Sequence, residues 1–352
     1  MNNGLRKVAV IGAAGFVGQF VCRRLAESGW QVYGAASERN SFLLDHLKIP
    51  AASGRYPVVV NLAYPTSVTP VRRKAENSAI VERISSLLAP GGTLLHTSTL
   101  AVFGFQLDRP VACGPIHWRP DADYVETKVR MELTLAEEFG GSHRVEIVRL
   151  GNVWGQGSPN WLVGLAVRLR DGLPVLVKGG QHSNVTEVQN VAAYLNHLAN
   201  LSSSPTAGVR FHHLAEFSSV PWDPFVQMIA AKLGVDIQTA ETPVAQPLKS
   251  LIVGTYVGET YKFLNRQRIC GSLMRQALSM LPKTMVGSVR QSKKSLGKAM
   301  GDDETYYTVM GCSREFCSST VPGWQPPVDL GTSLAGAAKW LEHAGFVTNI
   351  VG

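Results

Sequence analysis

Along the first 150 residues, short apolar runs alternate with stretches whose apolar positions recur at helical spacing. Residues 7–11 form a strand-like run. Residues 16–28 have helical spacing, with Phe20, Val21 and Leu25 on one side and Gly29 as a stop. Residues 31–36 read as a second strand. The run VVVNLA at 58–63 is continuously apolar, as a strand buried on both faces should be. Residues 75–88 read as a helix that Pro90-Gly91-Gly92 breaks, and 93–97 as a strand. A helix over 124–139 and a strand over 145–150 follow. Strands separated by helices imply right-handed crossovers and a parallel sheet. The pattern predicts a Rossmann-like, doubly wound α/β domain.

The second half is less regular. Helices are predicted over 161–170, 188–201, 224–233, 262–281 and 332–344. Asp223 is placed to cap the third of these, with Pro224 at its first position. Proline and glycine separate the pieces, as in VPGWQPP at 321–327. This predicts a smaller, discontinuous α/β domain woven into the first.

The chain has 352 residues, 45% apolar and 17% charged. That is about two domains' worth at roughly 150 residues each, and it excludes a disordered or fibrous chain. No apolar run reaches the length of a spanning helix. The opening MNNGLRKVAVIG goes straight into a strand-like run, without the apolar region of a secretory signal. Five cysteines with no framework spacing suggest a reducing compartment, so a cytoplasmic protein is expected. Cys312 and Cys317 are five apart and no C-x-x-C pair occurs, so no metal site is read. Cys22 reads as a core residue.

The net charge of +8 is local: residues 260–300 hold nine basic residues and no acidic one. The remainder is near neutral, and no nucleic-acid-binding motif accompanies the patch. Between its arginines, Leu264, Ile269, Leu273, Met274, Leu278 and Leu281 fall on one side of a helix. A solvated basic face, a peripheral membrane contact through 262–298 and the wall of an anionic substrate site all fit this pattern.

The chemistry-bearing signals begin at Gly12-Ala13-Ala14-Gly15-Phe16-Val17-Gly18, between the first strand and the first helix. Glycines there permit a tight turn, close approach of a pyrophosphate to the backbone and close helix-on-sheet packing. The helix N-terminus offers free N–H groups to the phosphates. The strand–turn–helix context makes this a dinucleotide-binding signal. At the end of the second strand, Ala36 replaces the acidic residue that would repel a 2′-phosphate. Ser37 can donate to such a phosphate and Arg39 can pair with it, which favours NADP; Glu38 keeps NAD as the alternative.

The G-x-x-G-x-x-G spacing resembles the extended short-chain dehydrogenase/reductases, the NAD(P)-dependent epimerase/dehydratase family. Further motifs carry the resemblance in order: Asn61-Leu62-Ala63; Thr97-Ser98-Thr99 ahead of Val102-Phe103-Gly104; Tyr124-x-x-x-Lys128; and Arg149-Leu150-Gly151-Asn152-Val153-Trp154-Gly155. The resemblance implies a dinucleotide-binding domain of residues 1–164 plus 183–210 and a substrate domain of 165–182 plus 211–352. It implies cofactor contacts from Gly12, Ala14, Gly15, Phe16, Val17 and Gly18. Further cofactor contacts fall to Leu62, Ala63 and Tyr64, to Thr97, Tyr124 and Lys128, and to Leu150, Asn152 and Val153. Thr99, Ala101 and Asn152 face the substrate. A homodimer is also implied.

Tyr124 and Lys128 are four apart on a predicted helix and share a face. A nearby ammonium favours the phenolate, and a tyrosine starts about three units above neutral pH. Tyr124 is therefore expected to be the acid/base and Lys128 to tune it; the resemblance implies that Lys128 also holds the nicotinamide ribose and that Thr99 orients the substrate oxygen. The expected reaction is oxidoreduction at a secondary alcohol or ketone of a small molecule, with a 4-keto-sugar reductase or an epimerase of a nucleotide sugar first. Two departures open alternatives. The chain after Arg39 is short and lacks a G-D strand end near the adenine. Ser183 stands where sugar-nucleotide enzymes carry an arginine for the pyrophosphate, and Glu187 and Asn190 replace a His and an Asp. An NADPH-dependent reductase of an apolar ketone (terpenoid, steroid or polyketide) is one alternative. A dinucleotide-sensing regulator is the other, disfavoured because Thr99, Tyr124 and Lys128 are all present.

Overall fold

The computed structural model describes residues 6–35, 44–45, 48–65, 70–104, 114, 123–177, 182–201, 206–240, 309–316, 318 and 322–346. Ser37, Arg39 and the basic 262–298 segment, and so the readings made on them, lie outside these residues.

Six parallel strands form the central sheet: β1 (Lys7–Ile11), β2 (Gln31–Ala35), β3 (Tyr56–Asn61), β4 (Leu88–Thr99), β5 (Arg144–Leu150) and β9 (Gly208–Leu214). Their order is β2-β1-β3-β4-β5-β9. The chain steps outward from β1 to β2 and then returns past β1 to β3, so the order reverses beside β1. A crevice opens there, at the carboxyl ends of β1 and β3.

Helix α1 (Phe16–Glu27) and helix α5 (Val188–Asn200) pack together on one face. Val21, Cys22 and Leu25 meet Val191, Leu195 and Leu198 over Val8, Val10 and Val60. Helices α2 (Pro70–Leu87) and α3 (Asp123–Phe139) cover the other face, where Ile84, Leu87, Met131 and Leu135 pack on Val59, Leu94 and Ile147. Alternate residues of each strand thus enter two separate cores, which is why the strands read as unbroken apolar runs.

Several boundaries differ from the sequence reading. Pro90-Gly91-Gly92 does not separate helix from strand: β4 starts at Leu88, and the triplet is bulged out between the pairs Tyr56–Leu88 and Val58–Thr93. The short chain after β2 makes a bridge in place of a further strand. Gly34 donates to Pro50 O at 2.8 Å and accepts from Ala52 N at 2.8 Å. The edge strand β9 is absent from the sequence reading, because GVRFHHL carries an arginine and two histidines. Arg210 and His212 face the buried Glu146, which also pairs with Arg144. The sheet therefore continues past residue 210.

The second layer gathers the short pairs β6 (Asn152–Trp154) with β8 (Val185–Glu187) and β7 (Leu176–Val177) with β10 (Thr239–Ala240). With them pack α4 (Leu165–Arg170), α6 (Asp223–Leu233) and α7 (Leu330–His343). Their shared core holds Trp154, Trp222, Phe225 and Leu341. Trp222, not Asp223, occupies the cap position of α6, which leaves Asp223 inside the first turn, where its charge still suits the helix dipole. Asp329 caps α7 by accepting from Thr332 N at 2.7 Å. Among the described residues, no helix is long and apolar enough to cross a membrane.

Candidate active site

The three glycines of the first turn are held by three different constraints. Gly12 has φ +84°, and a Cβ there would lie 3.1 Å from Ala63 N. Gly15 starts α1 and donates to Gly12 O at 2.9 Å. A Cβ on Gly18 would stand 2.2 Å from Gly12 O. The turn therefore lies flat against the end of β3 and under the first turn of α1. No side chain caps α1 and its first turn has no acidic residue, so its N–H groups are left for an anion. Ala14, Val17, Leu62 and Val153 pack around the crevice against the core, and Phe16 meets Phe20 edge-on at 5.8 Å. These residues fit a dinucleotide pyrophosphate.

At the end of β3, Asn61 is fully buried and works in both directions. Its Oδ1 accepts Ala63 N at 3.1 Å, and its amide donates to His96 Nδ1 at 3.0 Å. His96 lies on β4, and burial beside the Lys128 charge pulls its pKa down to about 3. It is neutral at physiological pH. The pair fixes the backbone that leads into Tyr64.

The carboxyl end of β4 meets α3. Lys128 is buried and donates to Thr97 O at 3.2 Å; its ammonium also lies 4.8 Å from the Tyr64 ring centroid. Burial pulls its pKa down to about 8, and the Glu132 carboxylate one turn on opposes that shift. Thr99 Oγ1 accepts Ala101 N at 3.2 Å, and its own proton is free for the Tyr124 oxygen. Tyr124 is half exposed along its ring. Burial of its hydroxyl pushes the pKa up to about 12, nearby Tyr64 adds to this, and the Thr99 bond opposes it. Lys128 is not among the groups that offset this rise. Lys128 turns to Thr97 and Tyr64 instead.

Beyond Thr99, a pocket is lined by Leu100, Ala101, Leu150, Gly151, Asn152 and Asn184 on one side and by Val309, Cys312 and Phe316 on the other. Asn152 donates to Ser183 O at 2.6 Å. The site residues expected from sequence and present among the described residues thus gather at the carboxyl ends of the inner strands. The second wall is what sequence reasoning missed. Asn184, in the left-handed region at φ 49°, donates to Arg314 O and accepts Phe316 N, both at 2.8 Å. It hangs the 309–316 segment on the site from 130 residues away. An asparagine tolerates that conformation, but no local motif announces its partner.

Residues 6–251 match the family described as RmlD substrate binding domain. The chain belongs to this family. It is a member of the extended short-chain dehydrogenase/reductases, as its motifs implied. A search of curated proteins found no match. Among solved structures, a UDP-galactose 4-epimerase is 19% identical with a TM-score of 0.52, over 67% of this chain and 86% of its own. A UDP-glucose-4-epimerase from Stenotrophomonas maltophila, with bound NAD and formylated UDP-arabinopyranose, is 16% identical at 0.52, over 68% and 87%. A UDP-glucuronic acid 4-epimerase from Bacillus cereus, in complex with UDP-glucuronic acid and NAD, is 16% identical at 0.50, over 67% and 85%. At these identities the likeness to the solved structures is one of fold. A buried ion pair lies behind the site. Arg149, from the R-x-x-N motif, binds both oxygens of Glu132 on α3, at 3.1 and 2.7 Å, and ties the Tyr–Lys helix to β5.

Proposed function

We propose that this chain is a nicotinamide-dependent oxidoreductase or epimerase acting on a secondary alcohol or ketone. The observation that carries the reading is the convergence of Thr99, Tyr124 and Lys128 at the crevice where the glycine turn meets the end of β3. The turn and the first N–H groups of α1 hold the pyrophosphate, and Lys128 holds the ribose. The bound nicotinamide supplies hydride exchange. Thr99 and Tyr124 grip the substrate oxygen between them. Tyr124 gives that oxygen a proton when a carbonyl is reduced and takes one when an alcohol is oxidised. Burial raises the Tyr124 pKa, so proton exchange at neutral pH calls for that pKa to be lowered. Removing that proton calls for added positive charge beside it.

NADP is the preferred cofactor in this proposal, on the residue types Ser37 and Arg39, with NAD as the alternative. The preferred substrate is a nucleotide-linked sugar; the solved relatives bound to UDP-sugars support that choice. A specific observation favours a second substrate class. The described pocket residues carry no charged side chain. Ser183 is fully buried, donating its N–H to Val220 O at 2.8 Å and its hydroxyl to Phe217 O at 3.3 Å, so it does not face a diphosphate. An uncharged ketone suits walls without charge. A homodimer is part of the proposal and is checked by light scattering.

A thermal-shift panel tests it, because a ligand of the folded state raises the melting point by mass action. The panel contains NADPH, NADH and UDP-, GDP-, CDP- and dTDP-sugars, singly and combined. A shift with NADPH plus one nucleotide class supports the sugar reading. A shift with NADPH alone moves the substrate to an apolar ketone. No shift with either dinucleotide rejects the function.

A further inference from the structure

The Lys128 ammonium is closed off from the crevice by a side chain. Lys128 is 6% exposed, whereas Tyr64, whose ring lies across the ammonium at 4.8 Å, is 46% exposed. Tyr124 stands edge-on to the same ring, with centroids 6.0 Å apart. A buried ammonium keeps its charge only with partners, and the Thr97 carbonyl is one. The Tyr64 face is the second, through a desolvated cation–π contact.

Among the described residues, the backbone at Tyr64 is held and the ring is not hydrogen-bonded. Asn61 and His96 hold Ala63, and Gly12 sits against Leu62 and Ala63. The Tyr64 hydroxyl has no hydrogen bond among the described residues. Motion is thus confined to one half-exposed side chain on a fixed base.

We propose that Tyr64 is an exchangeable cover on Lys128: its ring lies over the ammonium and turns aside when the hydroxyls of a dinucleotide ribose take its place. This rests on the cofactor reading above. The ring competes with the cofactor for one cation, so residue 64 sets dinucleotide affinity.

The test is acetylation of the intact protein with N-hydroxysuccinimidyl acetate, with Lys128 read by peptide mass spectrometry. Wild type, Tyr64→Phe, Tyr64→Leu and Tyr64→Ala are compared, with and without NADPH or NADH. The phenylalanine variant, which keeps the ring face, should label within about twofold of wild type. The alanine variant should label at least about fivefold faster, and dinucleotide should bring it back to the wild-type rate. The leucine variant, which keeps bulk without the ring face, should bind dinucleotide about two- to thirtyfold more tightly than wild type, the range of a cation–π contact converted to affinity. Equal labelling in all four proteins overturns the cover. Weaker dinucleotide binding by the leucine variant overturns the competition. Fast labelling of the alanine variant that neither dinucleotide slows overturns the exchange and the cofactor reading with it, and leaves the cover in place.

Discussion

Lys128 donates to the carbonyl of Thr97, 3.2 Å away, while Tyr124, one turn earlier on the same helix, bonds the hydroxyl of Thr99. The two side chains share a face of α3 but reach two different residues of β4. Their coupling therefore runs through the strand end and through Tyr64. Burial of both groups holds the Tyr124 proton to about pH 12 and pulls the Lys128 pKa down to about 8.

Tyr124→Phe keeps the ring and removes the proton carrier. Turnover should fall by about 100-fold or more, the usual contribution of general acid–base catalysis. The dinucleotide-induced melting shift should persist. Near-normal turnover in this variant removes Tyr124 from the role.

Lys128 is charged below about pH 8 and loses its proton above it. If the ammonium is the working form, kcat/KM is level through the neutral range and declines as pH rises past about 8. Lys128→Met should abolish turnover without lowering the melting temperature, because a buried cation with few partners contributes little to the fold. Calorimetry beside the activity assay checks both halves.

Gly18→Ala places a methyl against two backbone oxygens, Gly12 O at 2.2 Å and Ala13 O at 2.7 Å. The first turn of α1 must tilt to admit it. Loss of the dinucleotide shift and a melting point several degrees lower are expected. Gly141→Ala, with nothing within 4 Å of the new methyl, is the control and should change neither.

Glu132→Gln leaves the Arg149 guanidinium buried without its counter-charge. Breaking such a pair from one side costs about 3–5 kcal/mol. Denaturant titration reads that loss. Because Glu132 also supports the Lys128 charge, the alkaline decline in kcat/KM should move to lower pH in the same variant. An unmoved decline separates the two residues.

Glu187 and Glu216 share a buried site with Thr186, Asn190 and Ser333. Burial raises both carboxyl groups, Glu187 to about 7. The folded state then binds more protons than the unfolded state between about pH 4.5 and 7, so stability falls as pH rises through that window. Glu146, lowered by His212 and Arg144, acts in the opposite sense and loses its contribution as pH falls. Glu187→Gln should flatten the decline from pH 5 to 8 in a melting-temperature profile. An unchanged slope would remove Glu187 as its source.

Much of the fold was legible because buried parallel strands admit only apolar residues, and because glycine turns obey local backbone rules. Residues 12–18, VVVNLA and the Tyr124-x-x-x-Lys128 spacing each state their constraint within a few positions. β9 did not, because its Arg210 and His212 are satisfied by Glu146, a partner more than 60 residues earlier.

By itself the sequence determined the parallel α/β sheet, the turn that meets its first crevice, and Thr99, Tyr124 and Lys128 as the candidate chemistry. Only the tertiary structure decided where those side chains turn, that Tyr64 lies over Lys128, and that Asn184 brings Cys312 and Phe316 to the pocket. The physical reason is range. Helix spacing and strand alternation are set by neighbours in the chain, whereas burial, charge and hydrogen-bond direction are set by whatever the fold brings alongside.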